Sequence, residues 1–359
     1  MTKRTLPVAF IADLHQGIFR DFGGQLGEDG LNDRARVCLA TLGRARDKAL
    51  ELGARQVFAC GDIFHNRRPE PALIAAVQRE LHGGGVAFEI IPGNHDLVGA
   101  HAEGGNTACE PLNSEYARVI NKPFGYTGYE HPIVFCVPFD ARKPMAQVIE
   151  EACAAGDPGP VGFTLMTHVG VVDGDSPPWL RDAGDAIHFE RLFDIMDRYD
   201  MPAAFVGNYH KHQEWRRNGR VICQVGALCP TGFGDEGPAG YGGLAVWDGK
   251  DVKWHEVPGP RFVKVPNAGP LPVVAKDMSV YVRVETGKAH WDLKGAGYAG
   301  FEEVEPAPGV LEAIDSAKPD RLLEGAEDAL EEYVGKVPLA EGVNRNELRD
   351  MVLGYWRKS

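Results

Sequence analysis

The chain has 359 residues, 44% of them hydrophobic and 25% charged, a composition typical of a soluble globular protein. Its net charge of −13 argues against a protein that coats nucleic acid by charge alone, although it allows an enzyme whose local arginines meet phosphates. Seven scattered cysteines without a CxxC pair argue against a disulfide framework or a zinc ribbon and favour a cytoplasmic location. No apolar run predicts a signal peptide or a membrane span.

The first two-thirds of the chain alternate helical patterns with short apolar runs. Asn32 is the expected N-cap of a helix over 33–52 that ends at Gly53, and a second helix is predicted over 71–82. Continuous apolar runs are typical of strands in a sheet that helices cover on both faces. The predicted strands are 6–12, 56–60, 86–91, 133–137, 163–166 and 203–206.

Three further strand patterns follow without helices between them, which predicts a sheet that finishes in antiparallel hairpins. These patterns are 221–225, 243–248 and 252–257. The stretch 258–272 is rich in proline and glycine and is expected to be a linker.

The C-terminal part predicts one strand and an acidic helical tail. The strand pattern lies at 279–285, and helical patterns lie near 310–317, 320–334 and 344–357. Residues 301–359 carry 14 acidic and 7 basic side chains, so they contribute −7 to the net charge.

Five polar clusters each follow directly after an apolar strand pattern. They are DLH at 13–15, GDIFH at 61–65, GNHD at 93–96, TH at 167–168 and GNYHKH at 207–212. Ligands of open α/β folds bind beyond the carboxyl ends of the strands, so we expect the clusters to converge on one crevice. A lone Asp-x-His is more often a turn, and a lone histidine such as His168 is more often a hydrogen-bonded core side chain. The order and placement of all five together favour a site.

In this order the clusters resemble the signature of the calcineurin-like metallophosphoesterases, D-x-H, G-D, G-N-H-D, H, G-H-x-H, over residues 6–257. GDIFHNRRP (61–69) and GALCPTGFGDEG (226–237) are similar, more narrowly, to SbcD and Mre-type DNA-repair and recombination nuclease subunits of bacteria and phages. The resemblance implies an α/β fold: a two-sheet αββα sandwich with a small C-terminal capping region and a helical tail.

The resemblance also predicts a division of the chain. A nuclease domain is expected over 1–260, a linker and capping region over 261–305, and an acidic helical tail over 306–359 that docks on an ATPase or packs back on the cap.

The family signature implies two divalent metal ions, which can hold the attacking and leaving oxygens of an in-line phosphoryl displacement. Asp62 matches the bridging carboxylate. Mixed oxygen and imidazole ligands with open water positions favour manganese over calcium or a closed zinc site. The implied ligands are Asp13, His15, Asp62, Asn94, His168, Asn208 and His210.

Three side chains match the family's catalytic positions. His95 is the implied proton-handling histidine, with Asp96 orienting its ring, and His65 would contact or steer the DNA backbone.

Basic residues near these clusters are candidate DNA contacts. Arg67 and Arg68 would meet neighbouring phosphates, although they also suit a solvated loop. A basic island would line the DNA groove, although a turn between two strands is often basic as well; its members are Lys211, Arg216, Arg217 and Arg220.

One implied ligand departs from the family pattern. The segment GNYHKHQEW (207–215) aligns with G-H-x-H so that Gly207 matches the glycine and His210 matches the second histidine. Gln213 supports this alignment. Asn208 then occupies the position of a second-metal histidine. An amide oxygen is a poorer ligand for manganese than imidazole, so we expect a complete first metal site and a weakened second site.

The favoured interpretation is a metal-dependent DNA nuclease, an SbcD-like subunit that processes DNA ends or hairpins. Its implied partners are DNA, an ABC-type SbcC-like ATPase subunit and a second copy of the chain, with no membrane. Two alternatives stay open: a metallophosphatase or phosphodiesterase acting on other substrates, and a DNA- or ATPase-binding subunit whose catalysis is impaired at Asn208.

Overall fold

A computed structural model of the chain describes residues 6–126, 132–155, 162–176, 184–235, 240–265, 278–285 and 298–304. Apart from Glu285 and Val304, these residues belong to one compact unit, Met1–Val284 with His290–Glu303. The other unit, Glu285–Ala289 with Val304–Ser359, contains the predicted acidic tail, which lies outside the described residues. No helix in the described parts is both long and apolar enough to cross a bilayer.

Two six-stranded mixed sheets form the centre of the fold. The order across the first sheet is β14 (Val252–Glu256), β13 (Gly243–Trp247), β1 (Val8–Ile11), β2 (Gln56–Cys60), β3 (Ala87–Ile91) and β4 (Ala117–Val119). The order across the second is β11 (Gln213–Arg217), β12 (Arg220–Gln224), β10 (Ala203–Gly207), β7 (Thr164–His168), β6 (Val134–Val137) and β5 (Phe124–Tyr126). The predicted hairpin of 243–248 and 252–257 is confirmed, because β13 pairs antiparallel with β14. The pattern at 221–225 does not belong to the same sheet, because β12 pairs with β10 and β11 in the second sheet.

A third, three-stranded sheet contains β15 (Pro260–Val265), β16 (Ser279–Glu285) and β17 (Gly300–Val304). The prediction of a linker over 258–272 is wrong at its start, because Pro260–Val265 is a strand paired in parallel with β16. Phe262 and Val265 are buried there, so apolar contacts outweigh the proline and glycine signals at the ends of the strand. A small parallel pair, β8 (Gly170–Val172) and β9 (Ala186–His188), completes the described strands.

Helices cover the outer faces of both large sheets. They are α1 (Asp33–Glu51), α2 (Pro71–Leu81), α3 (Met145–Ala155) and α4 (Phe189–Arg198), with a short 3-10 helix at Glu110–Leu112. The predicted N-cap is confirmed, because the Asn32 side chain accepts a hydrogen bond from the amide of Ala35. Helices α1 and α2 pack on the first sheet, and α3 and α4 pack on the second.

The layer between the two large sheets is apolar and confirms the predicted αββα sandwich. Phe10 of β1 and Phe205 of β10 are fully buried, and their rings stack across this layer with centroids 3.7 Å apart. Trp247 and Met166 lie in the same cluster. The stacked rings therefore join two of the strands that carry the polar clusters, one from each sheet.

We expect Phe205→Ala to lower the free energy of unfolding by about 3–5 kcal/mol, because it leaves a cavity between the sheets. Urea denaturation followed by circular dichroism measures the loss. Phe124→Ala, which removes a ring that is 40% exposed, is the control and should cost less than about 1 kcal/mol. Equal losses in the two variants would contradict the role given to the intersheet stack.

Candidate metal centre

Five parallel strands bring the predicted clusters to one place. Strands β1, β2 and β3 run parallel in the first sheet, and β7 and β10 run parallel in the second. Their carboxyl ends therefore meet at one edge of the sandwich. The clusters that follow these ends supply Asp13, His15, Asp62, Asn94, His95, His168, Asn208 and His210.

The backbone at this edge is held in an unfavourable conformation. Asp13, His15, Asp62 and Asn208 have φ of 50°, 42°, 53° and 92°, and they are four of the seven non-glycine residues with positive φ in the described chain. Such conformations cost free energy and persist only where neighbouring structure enforces them. Here the amide of His15 donates to the carbonyl of Asp62 at 2.9 Å, which ties two of these turns together.

Two glycines allow the turns to approach each other. A Cβ atom at Gly61, which has φ +93°, would lie 2.3 Å from Nδ1 of His168. A Cβ atom at Gly207 would lie 2.4 Å from the carbonyl oxygen of Cys60. The glycines that open these two clusters are therefore required for close packing around the candidate ligands.

The first group of candidate ligands is Asp13, His15 and His210. Nε2 of His15 lies 3.0 Å from Nε2 of His210, and Nδ1 of His210 lies 2.8 Å from a carboxylate oxygen of Asp235. Burial lowers the pKa of His15 to about 3. The pKa of His210 rises to about 9, because the Asp235 hydrogen bond and the Asp13 charge outweigh the effect of burial. A proton on His210 therefore occupies the space between the two rings.

The second group is Asp13, Asp62 and His168, with Asn94 beside it. Nδ1 of His168 lies 2.7 Å from the carbonyl oxygen of Cys60, so it carries a hydrogen, and Nε2 faces the site. Burial by itself would lower the pKa of His168, but the Asp62 carboxylate raises it to about 9. The same contact, against the effect of burial, holds the pKa of Asp62 well below its usual value.

Asp62, a member of the second group, also faces His15 of the first. One carboxylate oxygen is 3.7 Å from Nε2 of His15, and the other is 3.4 Å from Nε2 of His168. This placement is the one that a bridging carboxylate needs, because each oxygen faces a different set of ligands.

The donor set fits divalent cations. When His168 is neutral, its Nε2, the Asp62 carboxylate and the side-chain oxygen of Asn94 are all acceptors that face one another. In the protein alone a hydrogen must separate them, from a protonated His168 or from an Asn94 amide turned over. A cation satisfies all three at once, and mixed oxygen and imidazole ligands suit a transition metal. Asp13, His15, Asp62 and His210 would hold one ion, and Asp62, Asn94 and His168 the other.

The side chain of Asn208 is only partly available as a metal ligand. Its backbone amide donates to both carboxylate oxygens of Asp13, at 3.0 and 3.1 Å. Its side-chain Nδ2 donates to the carbonyl and the carboxylate of Asp185, at 3.2 and 3.1 Å. Only the side-chain oxygen of Asn208 is therefore left to offer to a cation.

His95 and His65 lie beside the candidate ligands. The ring centroid of His95 is 5.0 Å from that of His15 and 5.8 Å from that of His65. Nδ1 of His95 lies 3.0 Å from the carbonyl oxygen of His65, and the backbone amide of His95 donates to Asp62. The His95 ring is thus oriented by a backbone carbonyl.

Asp96 does not orient His95, contrary to the expectation from the family signature. Its buried carboxylate accepts hydrogen bonds from the amides of Gly93, Ile63 and Phe64 at 2.9–3.1 Å. Because its oxygens are occupied by amides, Asp96 fixes the two loops that carry Asp62 and Asn94.

Three of the five predicted DNA-contacting residues lie near the candidate ligands, in two separate cavities. Exposed Arg67 and Arg68 line a cleft of about 730 Å³ together with His65, Asn94 and His95. Lys211 lines a separate cavity of about 560 Å³ beside Asn208 and His210. These three cations therefore lie near the candidate ligands.

Arg216 and Arg217 are not brought to the site. They lie on β11, the edge strand of the second sheet. Arg216 pairs with Glu214 and Asp251, and Arg217 pairs with Asp194 and Asp197, at 2.7–3.2 Å. Acidic residues, most of them distant in sequence, neutralise this part of the basic island.

Sequence reasoning assigned no role to Asp235, Asp185 or the carbonyl of Cys60. Asp235 lies within GALCPTGFGDEG, so the narrower family pattern contained the signal for it. Asp185 belongs to none of the motifs, and a sequence does not show which backbone carbonyl accepts a hydrogen bond from a histidine.

We expect divalent metal binding to release protons at neutral pH. His168 and His210, with pKa values raised to about 9, are protonated in the metal-free protein, and a cation needs their neutral rings. The apparent affinity for Mn²⁺ should therefore rise with pH up to about 9. Calorimetry in buffers of different ionisation enthalpy measures the protons released.

Asp235→Asn removes the negative charge that helps to raise the pKa of His210 and should reduce the number of protons released. His212→Gln is the control, because the pKa of His212 is lowered by burial and its Nδ1 faces the carbonyl of Gln224. Binding without proton release in the unmodified protein would rule out this protonation pattern.

A protein-family model and several solved structures resemble this chain. The family model for calcineurin-like phosphoesterases matches residues 6–212. No curated protein matches the chain. Solved structures that resemble it include TT1561 of Thermus thermophilus, with 10% identity and a TM-score of 0.42 over 70% of this chain and 99% of that one. A dimetal phosphatase from Danio rerio has 13% identity and a TM-score of 0.44 over 68% and 92% of the two chains.

The family match spans more than half of the chain and ends at the last polar cluster. All five polar clusters lie within the matched residues. The chain belongs to the calcineurin-like phosphoesterase family.

Proposed function

We propose that the protein is a metal-dependent DNA nuclease that hydrolyses phosphodiester bonds at DNA ends or hairpins. The observation that carries the proposal is the cleft beside the candidate ligands, in which exposed Arg67 and Arg68 lie next to His65 and His95. Guanidinium groups beside a hydrolytic centre suit a substrate with several phosphates, since each can bind a phosphate through two hydrogen bonds. Manganese is the proposed metal because the ligands mix oxygen and imidazole.

The residues of the chain would divide the work as follows. Bound divalent ions supply Lewis-acid activation of the phosphate and of the attacking water. His95 holds a hydrogen on Nδ1 through the His65 carbonyl, so Nε2 is the atom left for the substrate. In the imidazolium form of the ring, Nε2 would give its own hydrogen to the leaving oxygen or donate it in a hydrogen bond to the phosphate. Arg67 and Arg68 would bind the neighbouring phosphates and so position the DNA strand.

A second candidate is a DNA- or ATPase-binding subunit with impaired catalysis. Asn208 favours it, because this residue replaces an imidazole ligand and its Nδ2 is engaged by Asp185. A phosphatase acting on small substrates is less well supported, since it has no use for the arginine-lined cleft.

The wider assembly is part of the same proposal. We infer that the nuclease works in the cytoplasm as a homodimer with an ABC-type SbcC-like ATPase. The acidic tail over 306–359 is the proposed docking element, and residues 261–305 are the proposed linker and cap.

Mn²⁺ should support cleavage of DNA with free 3′ ends or hairpins, and His95→Asn should lower the cleavage rate by about 10²–10⁴-fold, because it removes the proton donor. Metal affinity should stay within a few-fold, since His95 is not among the proposed metal ligands. Gel assays of labelled DNA measure cleavage, and calorimetry measures metal binding.

His212→Gln is the matched control, because His212 lies outside the ligand groups and stacks on Trp254. A protein that hydrolyses p-nitrophenyl esters well but leaves every DNA substrate intact would contradict the nuclease proposal.

Asn208→His should tighten binding of the second Mn²⁺ by about tenfold or more, because imidazole is the better ligand. The first site should keep its affinity, since Asn208 contacts Asp13 only through its backbone amide. Titration monitored by manganese electron paramagnetic resonance separates the two sites. Equal affinity of the second site before and after the exchange would disprove the weakening at Asn208.

If the unmodified protein binds DNA but is inert with every metal, and Asn208→His cuts, the impaired-subunit alternative replaces the nuclease proposal.

A further inference from the structure

Another cavity also opens beside His65, and its lining does not include Arg67 or Arg68. It has a volume of about 730 Å³ and lies between the loop after β1, the segment 231–233 and two strands of the third sheet. We call it the aromatic pocket. Its described lining includes Phe19, Phe22, Phe233 and Phe262 together with Arg34 and Arg283.

The rings of the aromatic pocket form a connected set. Phe233 packs against Phe22 at 5.7 Å and against Phe262 at 5.2 Å between centroids. Phe233 and Phe262 are buried, whereas Phe19 and Phe22 are half-buried at the wall of an open cavity. Apolar rings left on an open wall are unfavourable in water, and they offer flat faces to a planar ligand.

Phe22 is held there against its backbone preference. Its φ is +54°, a conformation that is unfavourable for a bulky side chain. The ring is kept in place by contacts with the rings of Phe233 and Tyr281. Strain that a fold retains in a cavity wall is typical of a binding site.

The aromatic pocket is also cationic. The guanidinium of Arg34 lies 3.8 Å from the centre of the Phe19 ring, and that of Arg283 lies 4.4 Å from the centre of Phe233. Arg34 is 2% exposed and donates to the carbonyls of Asp21 and Thr231, but its Nε has no hydrogen-bond partner in the described part of the chain. No carboxylate within 4.0 Å pairs with Arg34 among the described residues. A buried cation with an unused N–H attracts an anionic ligand.

Flat apolar faces beside guanidinium groups are the features that bind a nucleotide. Bases stack on aromatic rings regardless of sequence, and arginine meets the phosphates. A base inside a duplex has its faces covered by its neighbours, so only an unpaired or flipped base can enter a cavity.

The aromatic pocket is one side chain away from the candidate metal ligands. The Phe19 ring lies 4.8 Å from the His65 ring, and the His65 ring lies 5.5 Å from that of His15. A nucleic acid strand that passes His65 therefore lies close to both the aromatic pocket and the candidate metal ligands.

We propose that the aromatic pocket binds the base of an unpaired nucleotide in the nucleic acid strand that passes His65. The inference rests on the proposed nuclease function and adds a subsite to it: the enzyme holds a frayed or single-stranded end next to the bond that it cuts.

The test measures DNA binding without cleavage. The full chain is titrated, in the presence of a chelator, against fluorescent oligothymidylates in which one position at a time is abasic. At one position, loss of the base should weaken binding by about tenfold, the magnitude of one stacked base. Phe22→Asn should weaken binding of the intact strand to a similar extent, and asparagine accepts the positive φ. Combining the abasic position with Phe22→Asn should cost no more than either change alone.

Phe22→Tyr keeps the flat ring and should bind like the unmodified chain, which separates loss of stacking from loss of folding. Phe124→Ala is the matched control, because Phe124 is exposed and also lies under an arginine, Arg118, at 4.5 Å. The pocket would be disproved if the losses of affinity from the abasic position and from Phe22→Asn were additive. It would also be disproved if no position of the oligothymidylate needed its base for binding. Failure of the chain to cut DNA with metal, while this coupling is present, would instead overturn the nuclease function and leave the pocket standing.

Discussion

The Asp62 carboxylate is the point on which the rest of the site depends. It is 1% exposed and lies between Nε2 of His15 and Nε2 of His168, while it accepts the backbone amide of His95. A buried carboxylate is tolerated only where partners offset its lost hydration, and here the partners are the candidate metal ligands themselves. The sandwich brings the edges of two sheets together so that ligands from both can surround this one charge.

That arrangement explains the backbone around it. Residues of three clusters accept positive φ, and Gly61 and Gly207 leave no room for a Cβ atom. The stacked rings of Phe10 and Phe205 anchor strands that hold these turns. Favourable burial between the sheets thus stabilises an edge that is unfavourable by itself.

A layer of acceptors behind the site fixes which ring nitrogen of His95, His168 and His210 carries a hydrogen. The carbonyls of Cys60 and His65 and the carboxylate of Asp235 each face an Nδ1 atom, so the corresponding Nε2 atoms point to the crevice. Asp185 occupies the Nδ2 of Asn208 in the same manner. The side chain of Asn208 is therefore also oriented by a neighbouring acceptor.

The alternation of strands and helices and the convergence of the polar clusters were predictable from local patterns, because they depend on apolar runs and on polar residues directly after them. The αββα sandwich and the identities of the candidate ligands were implied by the resemblance to the calcineurin-like metallophosphoesterases. The contacts of Asp96, Arg216, Arg217 and Asp185, and the strand Pro260–Val265, were decided only by the tertiary structure. Each depends on groups far apart in the chain, such as amides of another loop, carboxylates on a helix or a neighbouring strand. A sequence pattern records which side chain is present, whereas the partner that satisfies it is set by packing between segments distant in sequence.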